Sequence, residues 1–111
     1  MSQSIRKITI FALNNDEILE TVKSEGIYDE LATVRWITVH IGQETEPPDE
    51  TIAVVVDLTT SRGAVRFYDK STDSQIGGVY MEDSSQTLIP WDNHWWFRVS
   101  GSPRIAYIER K

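Results

Sequence analysis

The feature that most constrains the fold is an aromatic segment at residues 87–107, TLIPWDNHWWFRVSGSPRIAY, which holds three of the four tryptophans. Two groups of turn-forming residues divide it, WDNH at 91–94 and SGSP at 100–103, because Asn, Asp, Gly and Pro accept turn dihedral angles. Between these turns the side chains alternate, so Trp95 and Phe97 share one face of an extended segment while Trp96 takes the other. We therefore predict three consecutive strands here, with the core of the protein packed against them.

The rest of the chain repeats this pattern of short strands and turns. Residues 51–59, TIAVVVDLT, are continuously apolar and β-branched, which predicts a central strand buried on both faces. A turn at residues 61–63 leads into a strand at 64–69, and we predict that the two strands form a hairpin. Further strands are predicted at residues 4–13, 34–41 and 76–82. In the last of them, the pair Gly77-Gly78 indicates a bulge or a close backbone approach.

Residues 16–34 permit two interpretations. As a helix, Asp16 would cap the N-terminus, Ile18 and Val22 would share a face, and Gly26 would end the helix. As strands, residues 20–24 would turn at Gly26 and return as a hairpin. Local propensity slightly favours the helix, whereas the surrounding β pattern favours strands. We predict strands in this region.

Seven to nine short strands in 111 residues predict one mainly β domain spanning residues 1–111. The expected architecture is an antiparallel β-sandwich or open barrel. If residues 16–34 form a helix, the alternative fold class is α+β.

Composition narrows the function classes. The chain has no cysteine, which excludes disulfides, a thiolate nucleophile and cysteine-ligated zinc. The net charge is −6, and residues 14–50 carry ten acids opposed only by Lys23 and Arg35. Because nucleic-acid binding needs Lys and Arg facing phosphates, we expect no nucleic-acid partner. The longest apolar run is too short for a membrane span and the N-terminus lacks a signal-peptide core, so we expect no membrane partner.

The turn at residues 91–94 offers a catalytic or metal-binding interpretation, which we reject. Asp92 and His94 could form a metal pair, or a catalytic unit with Ser84 or Ser85. A metal site needs three or four convergent ligands, and a catalytic triad needs an oriented nucleophile. An exposed turn histidine explains the pattern better, and we expect no enzyme activity, cofactor or metal.

The aromatic residues of the C-terminal half offer a binding surface instead. Trp91, Trp95, Trp96 and Tyr80 could form a platform on which a sugar stacks, with Asp92 and His94 supplying hydrogen bonds. Alternation sends Trp95 and Trp96 to opposite faces, so at least one of them is expected to leave the core. We predict that this outward residue serves an interface rather than a glycan, and Trp36 is a second candidate for that role.

Two segments resemble a known class of proteins. Residues 24–41, SEGIYDELATVRWITVHI, and residues 88–111, LIPWDNHWWFRVSGSPRIAYIERK, resemble small β-sandwich proteins of the virions of tailed bacteriophages, which decorate capsids or form head fibres and tail parts. The resemblance implies a symmetric assembly with no catalytic residues. It also implies further copies or other virion proteins as partners. With no signal peptide or transmembrane segment expected, we predict location in a virion or in the cytoplasm.

The sequence thus leads to three functional hypotheses. The first is a non-enzymatic structural or interaction module that acts as an oligomer in a bacteriophage or prophage virion. The second is a carbohydrate-binding module that uses the aromatic platform. The third is an acidic phage-encoded inhibitor of a basic host protein.

Overall fold

The computed structural model describes residues 5–80 and 85–111, which form eight strands and one helix. In chain order these are β1 (Ile8–Ile10), α1 (Asn15–Ser24), β2 (Ala32–Ile37), β3 (Thr51–Asp57), β4 (Gly63–Asp69), β5 (Gln75–Val79), β6 (Gln86–Pro90), β7 (Trp95–Gly101) and β8 (Arg104–Arg110). All strand pairs are antiparallel. The prediction of a mainly β, sandwich-like domain is therefore confirmed.

Two sheets pack face to face. The larger sheet has the strand order β1-β6-β3-β8-β2, and the smaller one has the order β5-β4-β7. The core between them includes Val54 from the larger sheet, Phe67 and Phe97 from the smaller sheet, and Tyr107. The aromatic segment supplies β6, β7 and β8, as predicted. Strand β3 lies in the middle of the larger sheet with residues 53–56 fully buried, which confirms its prediction as a central strand.

Helix α1 covers the outer face of the larger sheet. Its buried side chains, Ile18 and Val22, are one helical turn apart and belong to a second apolar cluster with Val55, Leu88 and Ala106 of the sheet. Complete burial of such side chains contributes roughly 1.5–3 kcal/mol each. The domain is therefore a three-layer structure of helix, five strands and three strands.

The prediction of strands in residues 16–34 is wrong, because the helical alternative forms from Asn15 to Ser24. Asn14 caps it, since the side-chain Oδ1 accepts a hydrogen bond from the backbone N–H of Glu17 at 3.0 Å. Gly26 follows the C-terminus with a φ of 72°, a left-handed conformation that glycine adopts readily. Caps at both ends and an apolar face matched to the sheet outweigh the β pattern of the neighbouring sequence. The following strand, β2, begins at Ala32.

The predicted hairpin between β3 and β4 is also wrong. Strand β3 pairs with β6 and β8, whereas β4 pairs with β5 and β7, so the connection crosses from one sheet to the other. Gly63, taken as a turn residue, lies opposite Gly101 in the β4–β7 ladder. A Cβ atom at Gly63 would come within 2.4 Å of the backbone oxygen of Ser100. This glycine therefore permits close packing of two strands rather than a tight hairpin turn.

Other strand predictions differ only at their ends. The predicted strand at residues 4–13 is reduced to Ile8–Ile10, and residue 4 lies outside the described residues. The predicted strand at 76–82 is observed as Gln75–Val79, and residues 81 and 82 lie outside the described part of the chain. The ladder between β4 and β5 shifts register between Gly77 and Gln75, which confirms the bulge predicted from Gly77-Gly78.

A buried carboxylate links β3 to β6 and, through Gln86, to the segment that follows β1. Asp57, at the end of β3, is 3% exposed and accepts hydrogen bonds from the backbone and side chain of Thr59. It also accepts one from Gln86, which in turn bonds both backbone groups of Ala12. Burial alone would raise the pKa of Asp57, but the bonds from Thr59 and Gln86 and the charge of Arg104 outweigh it, so the pKa lies below its ordinary value.

We expect Asp57→Ala to lower the free energy of unfolding at pH 7 by about 1–3 kcal/mol, because it removes the acceptor of the hydrogen bonds from Thr59 and Gln86. A lowered folded-state pKa stabilises the fold above the unfolded value of about 3.9, and this contribution is lost as the pH falls through the folded-state pKa. The difference between variant and parent should therefore shrink below about pH 4 in urea unfolding curves. Asp29→Ala, at an exposed position, is the control and should change stability by less than about 0.5 kcal/mol. A constant difference from pH 7 to pH 2 would contradict a role for the ionised Asp57.

Candidate functional site

The tryptophans of the aromatic segment are mostly part of the core. Trp91 makes edge-to-face contacts with Phe67, Trp95 and Phe97 at ring-centre distances of 5.9, 5.6 and 6.0 Å. Trp95 is only 8% exposed. Trp91 is half-buried and packs against the core between the two sheets.

Trp96 lies on the opposite face of β7, as the alternation predicts, but its own chain covers it. Its ring stacks on Tyr68 with centres 4.3 Å apart and planes inclined by 13°. The guanidinium of Arg98 lies 5.3 Å from the centre of the Trp96 ring, and only 6% of Trp96 remains exposed. Trp96 therefore leaves the core without becoming an open contact surface.

Tyr80 lies at the far end of the same sheet. It follows β5, and the strand order β5-β4-β7 puts β5 and β7 at opposite edges of the smaller sheet. Arg66 lies 5.8 Å from the Tyr80 ring centre, and Gln75 donates a hydrogen bond to the Tyr80 hydroxyl at 2.8 Å. The four residues proposed as a sugar platform are thus not brought together on one surface. Glycan binding therefore stays an untested prediction, and these four residues do not form the aromatic surface on which it was based.

The turn at residues 91–94 is held by its own aspartate. Asp92 accepts hydrogen bonds from the backbone N–H of His94 at 2.8 Å and lies 2.9 Å from the Nδ1 atom of the His94 ring. These bonds, the backbone N–H first, hold the pKa of Asp92 below its ordinary value despite partial burial. The His94 side chain is 83% exposed. The arrangement is that of a side-chain-stabilised turn.

Partners for catalysis or metal binding do not converge on this turn within the described residues. Ser85 precedes β6 and Asp92 follows it, so the length of that strand separates them, and Ser84 lies outside the described residues. No group of three or more metal-ligating side chains is found in residues 5–80 and 85–111.

Three of the four sheet edges are short or covered. Strand β1 has only three residues. Strand β5 is flanked by the N-terminal segment, where the Lys7 Nζ atom donates a hydrogen bond to the backbone oxygen of Gly78 at 3.0 Å. Strand β7 is covered by the chain before Pro47, because Phe97 and Thr45 exchange backbone hydrogen bonds at 2.9 and 3.0 Å. Covered or shortened edges protect a β protein from pairing with other chains.

The fourth edge, β2, has none of these protections. Six residues, ATVRWI, pair with β8 on one side, and no other described strand pairs with the opposite side. The strand contains no proline or lysine. Its one charged residue, Arg35, pairs with Glu109 of the neighbouring strand while half of its side chain stays exposed. There the guanidinium of Arg35 contacts Glu109 with two hydrogen bonds of 2.8 and 3.2 Å and holds the pKa of Glu109 below its ordinary value. We call residues 32–37, with their unpaired side, the β2 edge.

Side chains beside the β2 edge are held by contacts within the domain. The Trp36 indole N–H donates to the Asn15 Oδ1 atom at 3.0 Å, and Arg104 lies 4.3 Å from its ring centre. On the other face of the sheet, Arg35 lies 5.5 Å from the ring centre of Tyr107, whose pKa burial raises to about 12. An open cleft of about 560 Å³ runs beside this face, between β2 and residues 43–46. Among the described residues, the face of β2 that carries Arg35 is therefore open between the strand and residues 43–46.

Of the residues predicted from the sequence as an interface, Trp36 alone belongs to the β2 edge. Sequence reasoning missed its neighbours Thr33 and Val34, which carry no unusual chemistry. The available signal was a strand with neither proline, lysine nor acid beside an otherwise acidic region. That signal becomes informative only when the strand order shows β2 at an edge.

Comparison with family models, with curated proteins and with solved structures found no match. Among the described residues, no helix has the length and apolar character needed to cross a membrane.

Proposed function

We propose that this protein is a non-enzymatic structural module that acts as a homo-oligomer, and that it is a component of a bacteriophage or prophage virion. The observation that carries the proposal is the β2 edge, a strand of six residues that pairs with β8 on one side and with no described strand on the other. Such an edge presents backbone donors and acceptors that another strand can satisfy. The virion setting is supported by the sequence resemblance of residues 24–41 and 88–111, and the first of these segments contains β2.

The placement of the polar side chains supports a non-enzymatic role. Asp92 and His94 bond each other within their own turn. The buried carboxylate of Asp57 accepts hydrogen bonds from Thr59 and Gln86. The cleft beside β2 is wide and open rather than enclosed. These features suit a scaffold whose function lies in its contacts with other chains.

Light scattering coupled to size exclusion tests the proposal at two protein concentrations and two salt concentrations. We expect a dimer or a larger closed assembly. Added salt should strengthen the association, because copies with a net charge of −6 repel one another and salt screens that repulsion. A monomer under all four conditions would overturn the proposed function.

The acidic-inhibitor hypothesis is a second candidate, favoured by the exposed acids on and after α1. Asp16, Glu20 and Asp29 are exposed, and none forms an ion pair within the described residues. Binding of a basic protein to such a surface should weaken as salt rises, the opposite of the salt effect expected for self-association. The direction of the salt dependence therefore separates the two functions.

A further inference from the structure

We infer that two copies of this chain pair through their β2 edges, antiparallel and around a two-fold axis that passes beside Val34. This inference rests on the proposed function, since it names the surface and the partner of the oligomer. Two five-stranded sheets would join at the axis into one continuous sheet. Closed two-fold assemblies are the commonest form of homo-oligomer, and each copy contributes the same surface to the interface.

The register of β2 on β8 decides which backbone groups are available. The N–H of Lys111 bonds the backbone oxygen of Leu31 at 3.1 Å, so Leu31 and Lys111 form a hydrogen-bonded pair. In an antiparallel ladder such pairs alternate, so Thr33 and Arg35 also bond β8. The backbone groups of Ala32, Val34 and Trp36 therefore point to the unpaired side. An axis beside Val34 matches these groups with the same groups of the second copy.

The side chains fit one another in this register. Trp36 of one copy lies opposite Ala32 of the other, which places a large side chain beside a small one. Arg35 lies opposite Thr33, so no two like charges face each other. Leu31, which is 72% exposed in the single chain, lies opposite the half-buried Ile37. Pairing therefore covers an apolar side chain that the domain itself leaves in water.

Neighbouring registers fit less well. An axis beside Arg35 would place the two Arg35 side chains directly opposite each other, and like charges in that position are destabilising. An axis beside Thr33 would place Trp36 opposite Glu30, outside the strand, and Arg35 opposite Leu31. Among the three, the axis beside Val34 combines full strand overlap with no repulsive pair.

Charge also favours this surface for contact between identical copies. The chain carries a net charge of −6, so most surfaces of one copy repel the same surface of another. The β2 edge contains no acidic residue, and its single positive charge is neutralised by Glu109. Two copies can therefore approach through β2 with little electrostatic cost.

Cysteine cross-linking tests the inference, and the absence of natural cysteines makes every disulfide assignable to an introduced thiol. In the inferred dimer, the two Val34 Cα atoms are about 5.5 Å apart, within the range that a disulfide spans. After mild oxidation, we expect most of the Val34→Cys protein to migrate at twice the monomer mass in a denaturing gel run without reductant. Thr33→Cys is the matched control, because the two Thr33 positions are offset by more than about 7 Å and should not cross-link. The double variant Leu31→Cys with Ile37→Cys should also cross-link, and it tests the register if Val34→Cys does not fold.

The outcomes separate the inference from the proposed function. Cross-linking of Val34→Cys and of the double variant, without Thr33→Cys, supports the axis beside Val34. Cross-linking of Thr33→Cys alone overturns that axis and leaves oligomerisation intact. If no variant cross-links while light scattering still gives an oligomer, the assembly uses another surface and the inference falls alone. If no variant cross-links and the parent chain is monomeric, both fall.

Discussion

Replacement of Phe97 by alanine is expected to lower the free energy of unfolding by about 3–5 kcal/mol. Phe97 is fully buried in the centre of the aromatic core, with ring centres of Phe67, Trp91 and Tyr107 at 6.3, 6.0 and 6.4 Å. Truncation removes contacts to both sheets at once and leaves a cavity that rigid aromatic neighbours cannot fill. Since small domains are stable by about 5–15 kcal/mol, the variant should be close to unfolding at 37 °C.

Urea unfolding followed by circular dichroism measures this change at one fixed protein concentration, because association would otherwise alter the apparent stability. Phe11→Ala is the matched control, since the same side chain is removed from a position that is 84% exposed. It should change stability by less than about 0.5 kcal/mol. A loss below about 1 kcal/mol for Phe97→Ala would show that the aromatic cluster does not hold the sheets together.

Alternation along single strands made the core predictable from the sequence. The opposite faces of Trp95 and Trp96, and the burial of residues 53–56 on both sides, follow from the period of two along a strand. Such patterns depend only on neighbouring residues, so they hold regardless of which sheet the strand joins. Strand existence and burial were therefore predicted well for β3, β7 and β8.

Strand partners and the helix were harder to predict because they depend on distant residues. Strand β4 follows β3 after residues 58–62, and its first residue, Gly63, favours a hairpin turn locally, yet its ladders are with β5 and β7. Likewise, Ile18 and Val22 gain their stabilising contacts from Leu88 and Ala106, far away in sequence. Local propensity favours the helix, and the structure confirms it. The β pattern of the neighbouring sequence predicts strands here, but a pattern in flanking residues stabilises nothing unless those residues pair with this segment.

The candidate site shows the same limit. Alternation predicts that Trp95 or Trp96 leaves the core as a contact residue, and Trp96 does leave it. Whether an outward ring is open depends on the next strand, however, and Tyr68 of β4 covers Trp96. Trp36 was proposed with it, and its strand proves to be a sheet edge. An edge is a property of strand order, which no local pattern encodes.

Replacement of Val34 by proline is expected to weaken self-association while leaving the domain folded. The N–H of Val34 points to the unpaired side of β2, so proline removes no hydrogen bond to β8. Its ring, however, removes a donor at the inferred axis from each copy and blocks close approach of the second strand. Loss of two hydrogen bonds should raise the dissociation constant by at least about tenfold, which corresponds to about 1.4 kcal/mol. Sedimentation or light scattering across a dilution series measures this constant.

Replacement of Thr33 by proline is the control that separates the two sides of the strand. Thr33 lies opposite Glu109 in a hydrogen-bonded pair, so its N–H is needed by the ladder to β8. We expect this variant to lose stability in urea, whereas Val34→Pro should keep most of the parent stability, because an edge strand tolerates proline where the N–H faces away from the sheet. If Val34→Pro associates as tightly as the parent chain, β2 is not the contact surface. If Val34→Pro unfolds as readily as Thr33→Pro, the side of β2 that faces away from β8 has been assigned incorrectly, and with it the register on which the two-fold axis depends.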